Sequence, residues 1–599
     1  MEQTNKPGEP RKEVIYQVFT RLFGNTNITN KPWGTIEENG VGKFNDFTDK
    51  ALEEIKALGV THIWYTGVPH HAVIRDYTAF GISNDDPDVV KGRAGSPYAV
   101  KDYYNVNPDL ATNPVNRLEE FRALVQRTHH HGLKVIIDIV PNHVARQYVS
   151  LQKPDSVQDF GATDIKTVEY QRENNFYYIP GQNFQTPIPH NGYKPLGGEN
   201  HPLSDGKFDE QPAKWTGNGS RLAQPNFDDW YETVKINYGI RPDGSKDFET
   251  LPPSYATRPI EDHYAFWQGK SVPSSWKKFR DIALFWLDNG VDGFRFDMAE
   301  MVPVEFWSYM NSAIKTRKPA AELVAEVYNP KEYRNYIQLG KMDYLYDKVE
   351  LYDTLKHIIQ GQGSTDNIWA IQRGMADIEH HMLHFLENHD EQRIASPAFA
   401  GSAEKAKPAM VVSATISTSP TLIYFGQEVG EPGAENAGFG SATRTSIFDY
   451  TGVPHHQRWM NHGKFNGAHL TASELSLRDF YKRLLNFTIT SPALMGRFAD
   501  LHEWNRKHSN GYNDKLYSFA RWSNDQKLVV LCNFSSDHSF SGDLHVPADI
   551  IRSWKLADGH FSLKDELYGK NNVAMQVADG LGVVKVTLLP LESLVLSLH

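Results

Sequence analysis

The sequence predicts an α/β fold: a closed (β/α)8 barrel of the TIM type, with a domain inserted after the third strand and an antiparallel β-sandwich at the C-terminus. Three observations carry this. From about residue 14 to 430, short β-rich runs alternate with helical patterns, as parallel βαβ construction requires. The β-rich runs number eight, which favours a closed barrel over an open sheet. After about residue 500 the alternation gives way to strands separated by Gly, Asn, Asp and Ser, the pattern of an antiparallel domain.

VIYQVF from residue 14 reads as the first strand and HIWYTG from 62 as the second. Between them, Leu52, Ile55 and Leu58 recur at helical spacing before Gly59. RLEEFRALVQRTHHHG sets Leu118, Phe121, Leu124 and Val125 on one face and stops at Gly132. KVIIDIV, GFRFDM, LVAEVY, DYLYD, LHFLENHD and TLIYFGQE supply the other six strands. A Pro, Gly, Asn and Gln-rich stretch follows Pro141 and is far longer than an ordinary barrel loop, so it reads as an inserted domain. A second irregular stretch, from about Ile240 to Ser274, is expected to wall the same end of the barrel. The domain expectations are therefore a barrel over 1–142 and 224–499, an insertion over 143–223, and a β-domain over 500–599.

At 599 residues the chain is too long for one core, and its 13 Trp, 28 Tyr and 31 Phe leave aromatic rings for a cleft after the cores are filled. A formal charge of −11 argues against a nucleic-acid partner, which requires a basic footprint. Cys532 is the single cysteine, so no intramolecular disulfide forms; in LVVLCNF it reads as a small buried residue. No apolar run is long enough to span a membrane, and the polar start MEQTNKPGEPRKE lacks the apolar stretch of a signal peptide. A cytoplasmic protein, or an exported one whose signal has been removed, fits both features.

Catalytic groups of such barrels stand where strands end at the C-terminal face. DIVPNH ends the third strand at His143, GFRFD the fourth at Asp297, LVAE leads to Glu326 in the fifth, and FLENHD ends the seventh at Asp390. Arg295 and Asp297, two apart, share one face of a strand. The guanidinium is expected to keep Asp297 ionised, as a nucleophile must be, although a buried pair that only satisfies itself would read the same way. Glu326 lies in an apolar strand, where proximity to other carboxylates is expected to raise it and make it a proton donor; pairing with a barrel cation is the alternative. Asp390 reads equally as a helix N-cap for EQRIA. Together, two carboxylates flanking a bond suffice for glycoside hydrolysis, and a third carboxylate with nearby imidazoles can hold sugar hydroxyls.

The ordered set DIVPNH, GFRFD, AEVY and ENHD resembles the four conserved regions of glycoside hydrolase family 13, the α-amylase family. SPYAVKDYYNVNPDLAT resembles that family's segment bearing an aromatic platform, and FGQEVG its eighth-strand region. The resemblance spans essentially the whole chain. It implies a retaining hydrolase of α-1,4 bonds in starch, maltodextrins or related α-glucans, with Asp297 as nucleophile, Glu326 as acid and base, and Asp390 steadying the distorted sugar. It also implies that Arg295 orients Asp297, that His143 and His389 bind hydroxyls, that Tyr98 stacks on the sugar, and that Asp138 supports the site. Asn142 corresponds to a calcium ligand of many members; no organic cofactor is implied.

The chain departs from the family pattern at three places. Glu300 and Met301 stand where many α-amylases carry a Lys-His pair, Asn226 replaces an acid in QPNFDDW, and Met298 follows the nucleophile. These bear on calcium, on the acceptor subsite and on linkage preference. Transglycosylase, α-glucosidase or neopullulanase-type specificity on the same site is the neighbouring expectation. An inactive carbohydrate-binding scaffold is a further one, against which all three carboxylates stand.

Overall fold

The computed structural model describes residues 10–569 and 572–598; residues 1–9 of the polar start lie outside them. Eight parallel strands close into a barrel: β1 Val14–Phe19, β2 His62–Thr66, β3 Lys134–Ile139, β4 Gly293–Phe296, β5 Glu322–Ala325, β6 Tyr344–Tyr346, β7 Met382–Phe385 and β8 Thr421–Tyr424. Each coincides with one of the eight expected runs. β1 pairs with both β2 and β8, which closes the ring. Both faces of these strands are covered, one by the barrel interior and one by helices, so they read as continuous apolar runs.

The expected helices form where their caps allow. Asp49–Ala57 starts at Thr48, whose hydroxyl accepts from Ala51 N, and ends before Gly59 at φ +100°. Arg117–His130 buries Phe121, Leu124 and Val125. Asp390 caps no helix. Backbone N–H groups of Asp390 and Glu391 donate instead to Asn388 Oδ1 at 2.8 and 3.0 Å, in a turn that leaves the aspartate carboxylate free for the site.

The inserted stretch begins at His143–Ala145, which pairs antiparallel with Thr233–Lys235, so its closing strand lies beyond residue 223. Composition gave no sign of this strand because only three of its residues are extended. Within the stretch read as irregular, Ile260–Trp267 is a helix. Its His263 and Trp267 bond Ser308 Oγ on the helix Val304–Arg317, at 2.8 and 2.9 Å. Pro259 before it and Glu261 and Asp262 in its first turn were the available signals.

The C-terminal domain starts at Arg497 and is one continuous antiparallel sheet of eight strands, curled so that strands from both ends of the ladder share an apolar core. The run VVKVTLLPLESLVLSL divides into Leu581–Leu588 and Ser593–Leu598. The strand Lys527–Asn533 faces two ways with a period of two: Leu528, Val530 and Cys532 join the barrel's core, while Val529 and Leu531 join the domain's own. Arg521, buried, donates to the carbonyls of Ile416 and Leu494 at 2.6 and 2.5 Å and stitches the two together. Burial pushes the Cys532 thiol up to about 12, so it is inert packing. No helix among the described residues is long and apolar enough to cross a membrane.

Because that strand belongs to two cores, barrel and C-terminal sheet are expected to melt as one unit. Leu528→Ala should cost about 2–5 kcal/mol, as for other large-to-small core changes, and move a single transition. Calorimetry that resolved two separate transitions in the intact protein would contradict the shared core.

Candidate active site

The site assembles around Arg295. Strand register sets it beside Asp138 of β3 on one side and Val324 of β5 on the other. Its side chain is fully buried and each of its three nitrogens donates at the C-terminal end of the barrel. Nη1 donates to Asp297 Oδ1 at 2.8 Å and to Asp138 Oδ1 at 3.4 Å. Nη2 donates to Glu326 Oε2 at 2.8 Å, and Nε to the Tyr346 hydroxyl at 3.2 Å. The rings of Trp64, Tyr98 and Tyr346 surround it at 5.4 to 5.6 Å. One cation thus joins residues of β3, β4, β5 and β6.

Glu326 Oε2 also accepts from the backbone N–H of Met298, at 2.8 Å. Met298 holds φ +44°, a left-handed conformation uncommon for a side chain of its size, which directs that N–H onto the carboxylate. The loop after β5 is held by Glu300, whose Oε2 accepts from the N–H groups of Tyr328 and Asn329 at 2.9 Å each. The residue that departs from the family pattern therefore supports the strand end carrying Glu326.

On the opposite rim, His389 bonds the Tyr98 hydroxyl through Nε2 and Gln17 through Nδ1, the latter at 2.8 Å, and its ring lies stacked on Tyr98 at 5.2 Å. Asp390 Oδ2 stands 3.1 Å from His389 Nε2. Burial would raise the Asp390 carboxyl, but His389 and then Arg295 outweigh it and bring it to about 2, so it stays ionised. Trp64 Nε1 donates to Asp138 Oδ2 at 2.8 Å, which fixes the support beneath Arg295.

Asp297 departs from the expectation that Arg295 would simply keep it ionised. Burial pushes its carboxyl well above the usual range, the Glu326 carboxylate pushes it further, and Arg295 offsets only part. Asp297 and Glu326 share one guanidinium, so the charge of each acts on the other. The sequence shows the cation beside Asp297 but not the depth of burial, and here burial wins.

His143 is buried with its ring edge-on to Trp230 at 5.4 Å. Burial, then the charge of Lys235, depress it to about 3, so it is a neutral hydrogen-bonding group. Asn142 donates to His143 Nδ1 and to the carbonyl of Gly217, at 3.0 and 2.9 Å. Its side-chain oxygen, the atom that would bind calcium, accepts from the ammonium of Lys235, which also lies 3.4 Å from the Met301 carbonyl. A divalent cation does not fit beside an ammonium already on its oxygen. The one possible grouping of metal ligands among the described residues, Glu13, His62 and Glu322, lies at the strands' N-terminal ends, and Lys134 sits 2.8 Å from Glu322.

All eight expected site residues thus fall in two connected clusters: Asp297, Glu326, Arg295, Asp390, His389 and Tyr98 around the guanidinium, and His143 with Asn142 at the junction with the insertion. Sequence reasoning missed Gln17, Trp64 and Tyr346, which face inward near the C-terminal ends of β1, β2 and β6. The rule applied to the other strand ends would have found Tyr346 in DYLYD. Lys235 had no signal, because its partner is 93 positions away.

Paired carboxyl groups at the ends of neighbouring strands, bridged by a buried arginine on the C-terminal face of a parallel barrel, define a glycosidase-type barrel. A family model described as alpha amylase, catalytic domain, matches residues 17–220 and 266–486, more than half of the chain. The chain belongs to the α-amylase family, and it is a glycoside hydrolase. It is 21% identical over 610 residues to neopullulanase 2 of Thermoactinomyces vulgaris, covering 98% of this chain and 78% of that one. Among solved structures, it resembles the maltogenic α-amylase AmyB of Thermotoga neapolitana with a TM-score of 0.58 at 18% identity, covering 98% of each chain. It resembles AmyP in complex with maltose with a TM-score of 0.59 at 18% identity, covering 98% of this chain and 96% of that one.

A carboxyl raised above its unfolded value makes the folded state bind more protons than the unfolded one, so stability falls as pH rises from about 4 towards the folded value. Removing that charge should relieve the cost. Asp297→Asn is expected to melt higher than the unaltered protein at pH 7, by roughly 2 °C or more. The gain should vanish near pH 3, where both states of Asp297 are protonated. An unchanged or lower melting temperature at pH 7, read by scanning calorimetry, would contradict the raised carboxyl.

Proposed function

We propose that this enzyme is a retaining hydrolase of α-1,4-glucosidic bonds in maltodextrins and related α-glucans, with Asp297, Glu326 and Asp390 in the catalytic roles. The observation that carries the reading is the single guanidinium spanning Asp297 and Glu326. It holds both carboxyl groups on one fork, which favours the close pairing of retaining enzymes, about 5 Å, over the wider gap an inverting pair needs for its water.

Asp297 attacks the anomeric carbon, and the glycosidic C–O bond breaks with its electron pair passing to the leaving oxygen. A proton on Glu326 transfers to the same oxygen. Arg295, retained on Glu326 and Asp138, keeps both carboxyls aimed while charge moves between them. In the second half, Glu326 takes a proton from water, the water oxygen bonds the anomeric carbon, and Asp297 leaves. Asp390, ionised and beside His389, faces the positive charge that develops on the ring. Tyr98 stacks on the sugar, and His143, which is neutral, and His389 hold hydroxyls.

Calcium has no part in this scheme: Lys235 supplies the cation at Asn142, joining the insertion to the loop after β4. Treatment with a chelator is expected to leave turnover and melting temperature unchanged, and a chelator-induced loss of either, restored by calcium, would refute this.

Asp297→Asn should lower turnover on maltoheptaose by roughly a thousandfold or more, the scale of nucleophile losses. Glu326→Gln should fail equally on maltoheptaose yet retain substantial activity on α-maltosyl fluoride, whose leaving group needs no proton. With the Glu326 charge gone, the acid limb on the fluoride should shift to lower pH, because that charge helps to raise Asp297. Equal loss on both substrates would remove Glu326 from the acid role. Products longer than maltoheptaose would show that transfer to sugar outruns transfer to water.

A further inference from the structure

We propose that a clamp of three aromatic rings, Trp33, Tyr193 and Phe439, closes the cleft on its glycone side, so that the enzyme attacks α-glucans only from non-reducing chain ends and releases a short glycone. This rests on the α-glucan hydrolase reading above and adds to it the direction and the limit of substrate entry.

The direction follows from the chemistry. A sugar with its anomeric carbon at Asp297 and its leaving oxygen at Glu326 extends its non-reducing end away from Glu326. That places the rest of the glycone on the side of Asp390 and the loops after β7, β8 and β1. A cavity of about 490 Å³ lies there, reaching from His389 and Asp390 to Phe439, Arg444 and Phe448 of the loop after β8.

The limit follows from Phe439, which lines that cavity, and from the two rings packed against it. Phe439 meets Trp33 of the loop after β1 at 6.2 Å and Tyr193 of the insertion at 5.9 Å, and Trp33 meets Tyr193 at 6.2 Å. Three loops from different parts of the chain therefore touch one another through half-buried rings. Trp33 is built into this position. It holds φ +60°, a conformation that persists for a bulky residue only where its surroundings impose it. Its N–H donates to the Ala437 carbonyl at 2.9 Å, and its own carbonyl accepts from Arg93 Nε at 2.7 Å. Arg93 in turn pairs with Glu199 of the insertion. Gly197 and Gly438 approach so closely that a Cβ on either would lie 2.7 Å or 2.8 Å from Trp33 atoms. Asn30 Nδ2 adds a 3.0 Å bond to Glu435, again from the first loop to the eighth. Loops joined in this way hold Phe439 in place against the cavity, as a pocket that ends the glycone needs.

The test compares maltoheptaose with a p-nitrophenyl α-maltoheptaoside whose non-reducing end is blocked by an acetal. The intact enzyme should cut the first to one short product series and the second roughly 100-fold more slowly or less, since discrimination here is by exclusion. Trp33→Ala, and independently Phe439→Ala, should raise the ratio of blocked to unblocked cleavage by roughly tenfold. A ratio cancels any loss of folded protein. Equal cleavage of both substrates by the intact enzyme would overturn the clamp and leave the hydrolase reading standing. Failure on both would remove the hydrolase reading and the clamp with it. A blocked-substrate ratio unmoved in both variants would show that something other than these rings excludes the chain.

Discussion

The buried guanidinium of Arg295 is the constraint on which the rest of the site depends. An arginine taken wholly out of water must have its donors engaged, and it survives in the barrel because Asp138, Asp297, Glu326 and Tyr346 answer them. The requirement runs both ways. Three carboxyl groups packed together at the ends of neighbouring strands repel one another, and only a cation among them lets the barrel close over them. Trp64, Tyr98 and Tyr346 exclude water around it, which strengthens each of these interactions.

Electrostatic opposition of this kind also sets the chemistry. Asp390 and Asp297 are both near Arg295, yet one is held low and the other is pushed high. The difference lies in what else each one faces: Asp390 has the His389 ring against it, whereas Asp297 faces a second carboxylate. One fold thereby holds one aspartate ionised and pushes another up beside the same guanidinium. The junction with the insertion follows the same logic at lower charge density, where the Lys235 ammonium donates to Asn142 and, after burial, helps to keep His143 neutral.

Much of the fold was legible because its strands are buried on both faces and read as apolar runs between turn residues. All eight lie where the pattern put them, and the residues expected to be catalytic lie at their ends, as the geometry of a parallel barrel requires. The closing strand of the insertion, Thr233–Lys235, was hidden because three extended residues carry no period. The helix Ile260–Trp267 was hidden by the loop-like composition around it. The C-terminal sheet was legible as antiparallel, but its curl into a single ladder depends on which strands pair, and pairing partners are set by long-range contacts that local pattern does not record.

The sequence by itself determined the barrel, the order of its strands, and the residues that stand at the ends of four of them, since periodicity and strand polarity are local properties of the chain. The tertiary structure decided everything that depends on distance across the chain. It decided that burial outweighs Arg295 at Asp297, that Lys235 meets Asn142, that Asp390 turns to His389 instead of capping a helix, and that Trp33, Tyr193 and Phe439 come together from three loops. The physical reason is that charge, desolvation and ring contact act through space, and only the closed fold fixes how deeply a group is buried and which groups from elsewhere in the chain face it.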